Sequence, residues 1–245
     1  MSQFRFYEAL LPILEKAFAS QADTLRRVAQ KMAEVIAADH LVYVFGAGHA
    51  GIIAEEMCYR AGSLVPTVPI LAPGLTLNTR PVTLETEIER LPGYAKLLLD
   101  ASGISGDDML IIHSNSGRNT VAVEMAEYAR EKGIALVALT SLAHSRAYPS
   151  RHPRGLKLMD LAEYVIDNCG VVGDAVCPIP GLDVKAGATS TVVGAALMNA
   201  IIVEAACILQ EMGHEPPLFR SANMDNSDES NKKWMDHYRS RLLYL

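Results

Sequence analysis

The chain has 245 residues, half of them hydrophobic, and a formal net charge of −6 with its basic residues scattered. That is enough apolar material for a large core, and the charge pattern marks neither a nucleic-acid surface nor an anionic-membrane surface. Four cysteines, Cys58, Cys169, Cys177 and Cys207, form no CxxC and no metal-like spacing with histidine, so they read as reduced thiols of a cytosolic protein and no metal site is expected.

Residues 1–38 read as helical. Phe6, Leu10, Ile13, Leu14 and Phe18 make one apolar stripe, and Leu25, Val28, Met32, Val35 and Ile36 make another. Acids among the apolar residues and the lack of a small-residue cleavage site argue against a signal peptide. The segment is expected to pack on the domain or on a partner subunit.

Residues 39–212 carry the motifs. Leu41–Phe45 is a buried-type strand that enters Gly46-Ala47-Gly48-His49-Ala50-Gly51 and then a helix expected over Ile52–Ala61. As G-x-G-x-x-G this resembles a dinucleotide fingerprint, but the next strand candidate, Thr67–Leu71, ends without the acid that would hold a ribose. A smaller phosphate ester suits the turn better, and no cofactor is expected. On the following helix Glu56 and Arg60 fall four residues apart on the apolar arc. They form either a structural ion pair or, with Glu55, a source of acid–base groups facing a ligand. Residues 73–93 form a long loop-rich connection of the kind that becomes a lid or a subunit contact.

Met109–Ile112 is a second buried-type strand. It turns through Ser114-Asn115-Ser116-Gly117 into a helix with Ala122, Met125, Ala126 and Ala129 on one side. Hydroxyl side chains and free N–H groups at a helix N-terminus favour an anion, although Ser116 or Asn119 acting as a plain cap is the competing reading. Ile134–Thr140 and Tyr164–Asp167 complete five strands separated mostly by helices. The stretch His144–Lys157, rich in Arg, His and Pro, reads as a surface turn with a short helix. Gly187-Ala188-Thr189-Ser190-Thr191 opens the longest apolar helix, which runs to about Met212. Its membrane-like part, Val192–Leu209, contains Asn199 and Glu204 and fits a buried or interfacial helix better than a span. Glu204 is either a buried carboxylate suited to proton transfer or a residue on the exposed edge. Residues 213–245 read as a polar tail and a final amphipathic helix, Lys232–Leu243, of the kind that wraps a neighbouring subunit.

With VFGAGHAG, IIHSNSGRN and GATSTVVGAALMNA in view, the chain resembles the SIS (sugar isomerase) phosphosugar-binding family, in a bacterial branch of phosphosugar isomerase-like proteins. EEMCYRAG and PPLFRSAN extend the resemblance almost to the C-terminus. The family pattern S-x-S-G-x-T appears as Ser114 to Asn119, with Asn119 in place of the final Thr. In the first turn Ala50 stands where a hydroxyl is usual, and His49 beside it can supply a donor.

The resemblance implies an α/β three-layer sandwich with an open, mostly parallel, flavodoxin-like five-stranded sheet, assembled as a homodimer or homotetramer. It implies a phosphorylated sugar as ligand, often an amino sugar 6-phosphate. Ser114, Asn115, Ser116, Gly117, Asn119, Thr189, Ser190 and Thr191 would surround the phosphate, with Gly48 and His49 near the sugar. Catalytic groups differ among family members, so Glu55, Glu56, Glu204 and His214 are nominated from the helix arguments alone. The expected chemistry is aldose–ketose isomerisation through loss of the C2 proton. A lyase starting from the same proton and a non-catalytic phosphosugar sensor are the alternatives.

Overall fold

The computed structural model describes residues 4–225 and 227–242. Residues 1–3, 226 and 243–245, including the expected helix end at Leu243, lie outside the described residues.

Five short apolar runs form one sheet: β1 (Val42–Gly46), β2 (Thr67–Ile70), β3 (Met109–His113), β4 (Ala135–Thr140) and β5 (Tyr164–Asp167). Their order is β2-β1-β3-β4-β5 and every pairing is parallel, so the sheet is entirely rather than mostly parallel. Strands buried on both faces explain the unbroken apolar runs. The pleat divides them between two cores. Tyr43, Phe45, Leu110 and Ile112 face α4 (Tyr94–Ser102), α5 (Thr120–Glu131) and α7 (Leu158–Leu161). Val42, Val44, Met109 and Ile111 face α1 (Arg5–Ala37), α2 (Ile52–Met57) and α8 (Ser190–Glu211).

α1 is one continuous helix that tolerates Pro12 near its start. Leu25, Val28, Met32, Val35 and Ile36 are all buried. The N-terminal stripe is only partly covered within the chain, and the Phe6 ring lies against Gly187 in a hairpin formed by β6 (Ala175–Pro178) and β7 (Lys185–Ala188). That antiparallel pair is absent from the sequence reading because its half-exposed residues carry no clear alternation. It also places Gly187 and Ala188 in a strand, so α8 begins at Ser190. α8 is apolar enough to cross a membrane by composition, with mean hydropathy 2.2. One side of it is built into the core with α1 and the sheet.

Two expectations are corrected by tertiary pairing. α2 stops at Met57 rather than Ala61, and the chain reverses through Tyr59 at φ 45°. The cause is the tail. Phe219 N donates to Ser63 O, Val65 N donates to Pro217 O, and the Phe219 ring meets Tyr59 edge-on at 5.1 Å. The tail therefore closes on its own chain. α9 (Ser227–Tyr238) follows it, buries Tyr238 and brings His237 to 2.8 Å from Asp39, which Arg241 also contacts.

Candidate functional site

In a parallel sheet of this order, the connections leave β1 and β3 in opposite directions and open a crevice beyond their carboxyl ends. Gly46 and His113 are register partners across that point, so the two glycine-containing turns emerge side by side. Gly46 is required there: a Cβ on it would lie 2.4 Å from the Ala50 carbonyl carbon, because a short 3-10 turn over Gly48–Gly51 folds back onto the strand end. Gly48 takes φ 55° and donates its N–H to Leu75 O at 2.8 Å. His49 beside it is exposed, and its ring makes no hydrogen bond among the described residues.

The turns are joined by His113, whose Nδ1 lies 3.0 Å from Ala50 O. Burial draws the imidazole pKa down to about 4, outweighing the opposing effects of that carbonyl and of Asp174, so the ring is neutral at ordinary pH. A neutral ring donating from Nδ1 leaves Nε2 as an acceptor, and Nε2 is buried without a partner among the described residues.

In the second turn Ser114 Oγ accepts from Gly117 N at 3.2 Å, and Gly117 adopts φ 57°. Asn115 is a strut: its carbonyl accepts from Ser141 N and Thr140 Oγ1, and its side chain accepts from Asn168. Ser116 is half-buried, and its hydroxyl makes no hydrogen bond among the described residues. Asn119 takes the N-cap position of α5 and accepts from Arg151 Nη1 at 2.7 Å.

The expected surface turn at 144–157 is instead folded over this motif. Arg151 N donates to Arg118 O, and the Arg118 guanidinium lies 5.5 Å from the centre of the Tyr148 ring. Burial lowers the Arg151 pKa, the nearby charges of Arg90 and Arg118 lower it further, and the Glu89 carboxylate opposes them. None of these three guanidinium groups forms an ion pair among the described residues, and Arg118 Nε is buried without a partner. Gathered cations beside an open hydroxyl and a helix N-terminus favour an anion.

The third hydroxyl turn behaves differently. Asp174, at φ 66°, places its carboxylate on the N-terminus of α8, where it accepts from Thr189 N (3.0 Å), Ser190 N (2.8 Å) and Ser190 Oγ (2.6 Å). The donors of Thr189 and Ser190 are thus held by an internal anion in this conformation, and Thr191 is half-buried beside them.

Among the helix-borne acids, Glu56 is engaged at both oxygens, by Arg60 at 3.0 Å and by Asn199 at 3.1 Å. Glu55 and Glu204 are exposed, as is His214. At 1.5 Å per residue, Glu204 stands roughly 20 Å along α8 from Ser190, and His214 lies past the end of that helix at Glu211, itself roughly 30 Å from Ser190. Within one chain they do not meet the two turns.

The structure also gathers residues the sequence left aside. α3 (Thr83–Ile88), in the connection 73–93, brings Glu85 against Gly48, and Glu89 just beyond it comes near Asn119 and Arg151. Arg118 was visible inside the motif. Glu85, Glu89, Arg90, Arg151 and Asp174 had no local signal.

This arrangement defines an open α/β protein with its candidate site at the topological switch point between β1 and β3. The chain belongs to the SIS domain family, whose model matches residues 5–141. It is 39% identical over 241 residues to UPF0309 protein ABC0887 of Shouchella clausii, covering 98% of each. It is likewise 39% identical over 240 residues to UPF0309 protein OB3413 of Oceanobacillus iheyensis, again covering 98% of each. In fold it is similar to a complex of E. coli CFT073 c3406, with TM-score 0.53, 18% identity and coverage of 84% of this chain and 88% of that one. It is also similar to a phosphoheptose isomerase from Francisella tularensis, with TM-score 0.52, 14% identity and coverage of 84% and 95%.

Proposed function

We propose that this protein acts in the cytoplasm, binds a phosphorylated sugar and interconverts its aldose and ketose forms. The observation that carries the reading is the Ser116 hydroxyl at the head of α5, which makes no hydrogen bond among the described residues, together with the mutually interacting charges of Arg90, Arg118 and Arg151, none of them ion-paired among those residues. A phosphate dianion is the kind of ligand that a hydroxyl, a helix N-terminus and guanidinium groups favour. Ser114, Gly117 and Asn119 shape the turn around it, Asn115 braces it, and Gly48 and His49 face the sugar. Thr189, Ser190 and Thr191 stand at the opposite wall, where the Asp174 carboxylate gives way if the ligand's anion reaches α8. The phosphoheptose isomerase of the same fold is consistent with this ligand class.

Phosphate held at a distance from the reacting carbons supplies the binding energy that positions C1 and C2. Loss of the C2 proton beside the C1 aldehyde gives an enediol, and reprotonation at C1 gives the ketose. Expulsion of a C3 substituent from the same intermediate is the lyase variant. The non-catalytic sensor is the second reading, favoured by Ala50, which offers the ligand no hydroxyl. The assembly is a homodimer or homotetramer.

Proton NMR of hexose and amino-sugar 6-phosphates in D2O tests the proposal. Deuterium at C2 together with a new ketose supports the isomerase, and a released C3 substituent supports the lyase. A bound sugar phosphate whose C2 proton never exchanges means the sensor.

A further inference from the structure

The catalytic groups of the reaction proposed above are open: Glu56 is engaged at both oxygens, and Glu55, Glu204 and His214 are exposed to solvent. We propose that the carboxylates of Glu85 and Glu89, carried over the first turn by the connection 73–93, are the acid–base pair: Glu85 moves the carbon-bound proton and Glu89 serves the oxygens. This inference rests on the phosphosugar reading.

The geometry singles out these two residues. Glu85 Oε1 lies 3.0 Å from the position a Cβ on Gly48 would occupy, so the carboxylate sits directly over the glycine backbone expected to face the sugar. Gly48 is buried at φ 55°, and any side chain there would push the carboxylate away. Glu89 follows one helical turn later, with its N–H donating to Glu85 O at 2.9 Å, which sets both side chains on one face. Asn119, whose Oδ1 accepts from Arg151, also acts on the Glu89 carboxyl and opposes the rise of its pKa. One carboxylate thus stands over the sugar-facing turn, and the residue carrying the other is tied through its backbone carbonyl to the head of α5.

The segment is fixed in that position. Glu89 O accepts from Val121 N at 3.1 Å in the first turn of α5, and Gly93 N donates to Glu124 Oε2 at 2.7 Å. Tyr94 OH donates to Pro73 O at 2.7 Å, and the Ile88 side chain fills the space over Gly74 that a Cβ would need. Anchored ends and a carboxylate aimed at the crevice are what a proton-transfer group requires. Burial raises the Glu89 pKa and the charge of Glu85 adds to it, against Asn119, Arg151 and Arg90. Two carboxyl groups in unlike environments divide naturally into an acid and a base.

The steps balance. Glu85 takes the hydrogen at C2, and the C–H electron pair becomes the C1=C2 double bond. The carbonyl π pair moves onto O1, which takes the proton of Glu89, giving a neutral enediol. Glu89 then removes the O2 proton, the O–H pair forms C2=O, and the C1=C2 pair accepts at C1 the proton held by Glu85. Both carboxyls return to their starting state and no oxidant or reductant is consumed.

The test uses the full chain and the sugar-phosphate panel in D2O, comparing wild type with Glu85→Gln, Glu89→Gln, Glu85→Asp and Glu56→Gln, with binding followed by calorimetry. Glu85→Gln is expected to slow C2 exchange by about 10²–10⁴, with ligand affinity within about threefold of wild type. Glu85→Asp should recover part of the rate, which shows that the loss is chemical rather than a folding defect. Glu89→Gln should reduce ketose formation by about 10²-fold. Wild-type exchange rates in Glu85→Gln overturn the proposal, as does loss of exchange confined to Glu56→Gln, which moves the base to α2. A wild type that binds a sugar phosphate without exchanging C2 overturns both this inference and the isomerase reading. A wild type that binds none of the panel overturns the phosphosugar reading itself.

Discussion

The Asp174 carboxylate accepts both the main-chain N–H and the hydroxyl of Ser190, at 2.8 and 2.6 Å. One side chain, entering from the start of the β6–β7 hairpin, thereby satisfies the N-terminus of the longest apolar helix in the chain. Asp174 does so from a left-handed backbone conformation that alanine disfavours and glycine adopts freely.

Substitution at this position is therefore expected to separate the cap from the strain. Asp174→Gly loses the cap alone, about 1–2 kcal/mol. Asp174→Ala loses the cap and adds roughly 1 kcal/mol of backbone strain. Urea unfolding of the two variants checks the ranking, and equal stability of Asp174→Ala and wild type would refute the capping role.

Replacing Arg151 or Arg118 by Gln, or Ser116 by Ala, is expected to weaken sugar-phosphate binding without unfolding the chain. A lost hydrogen bond between a charged group and phosphate corresponds to about 1.5–3 kcal/mol, or roughly 10–150-fold in Kd, and the neutral Ser116 contact to less. Calorimetry at two salt concentrations is the check. The wild type should lose affinity with salt more steeply than either arginine variant, and identical salt dependence would count against the cationic site.

Stability should fall with acid in a way traceable to His113. Its pKa is drawn from 6.5 in the unfolded chain to about 4 in the native one, so between those values the unfolded state binds more protons. The contribution is fully present above about pH 6.5 and is lost progressively as the pH falls towards 4, amounting to about 3 kcal/mol in all. The Ala50 carbonyl and the Asp174 carboxylate are the polar groups that act on the ring. Unfolding free energies measured from pH 7 to 4.5 should show a shallower slope in His113→Gln than in wild type. Parallel curves would mean that the imidazole is not buried neutral.

Val192 and Val203 stay exposed on α8, and less than half of its apolar window is buried within the chain. An apolar face of that kind is expected to pack on a second copy. Light scattering coupled to gel filtration should report a dimer or tetramer, and Val203→Glu should shift it towards the monomer. A monomeric wild type at micromolar concentration would contradict the assembly.

Much of this protein is written locally. Runs such as Met109–Ile112 and Ala135–Thr140 are apolar on both pleat faces, and only a sheet covered on two sides accommodates them. Gly46 and Gly117 announced tight turns because each occupies a conformation or approach that a side chain would obstruct. Strand content, the parallel character of the sheet and the position of the first two turns were legible in such local patterns, whereas the strand order came only with the fold. Only the tertiary structure decided which donors remain open for a ligand. Ser190 and Ser116 look alike in sequence, yet Ser190 is claimed by Asp174 and the Ser116 hydroxyl makes no hydrogen bond among the described residues. α2 ends early because the tail at 217–219 pairs with 63–65, a contact across about 150 residues that no local pattern encodes. Glu85 reaches Gly48, and Arg151 reaches Asn119, only when the connections fold back over the sheet's carboxyl edge. Backbone conformation depends on a residue and its near neighbours, whereas the occupancy of a hydrogen-bond donor depends on whatever the completed fold brings within about 3 Å of it.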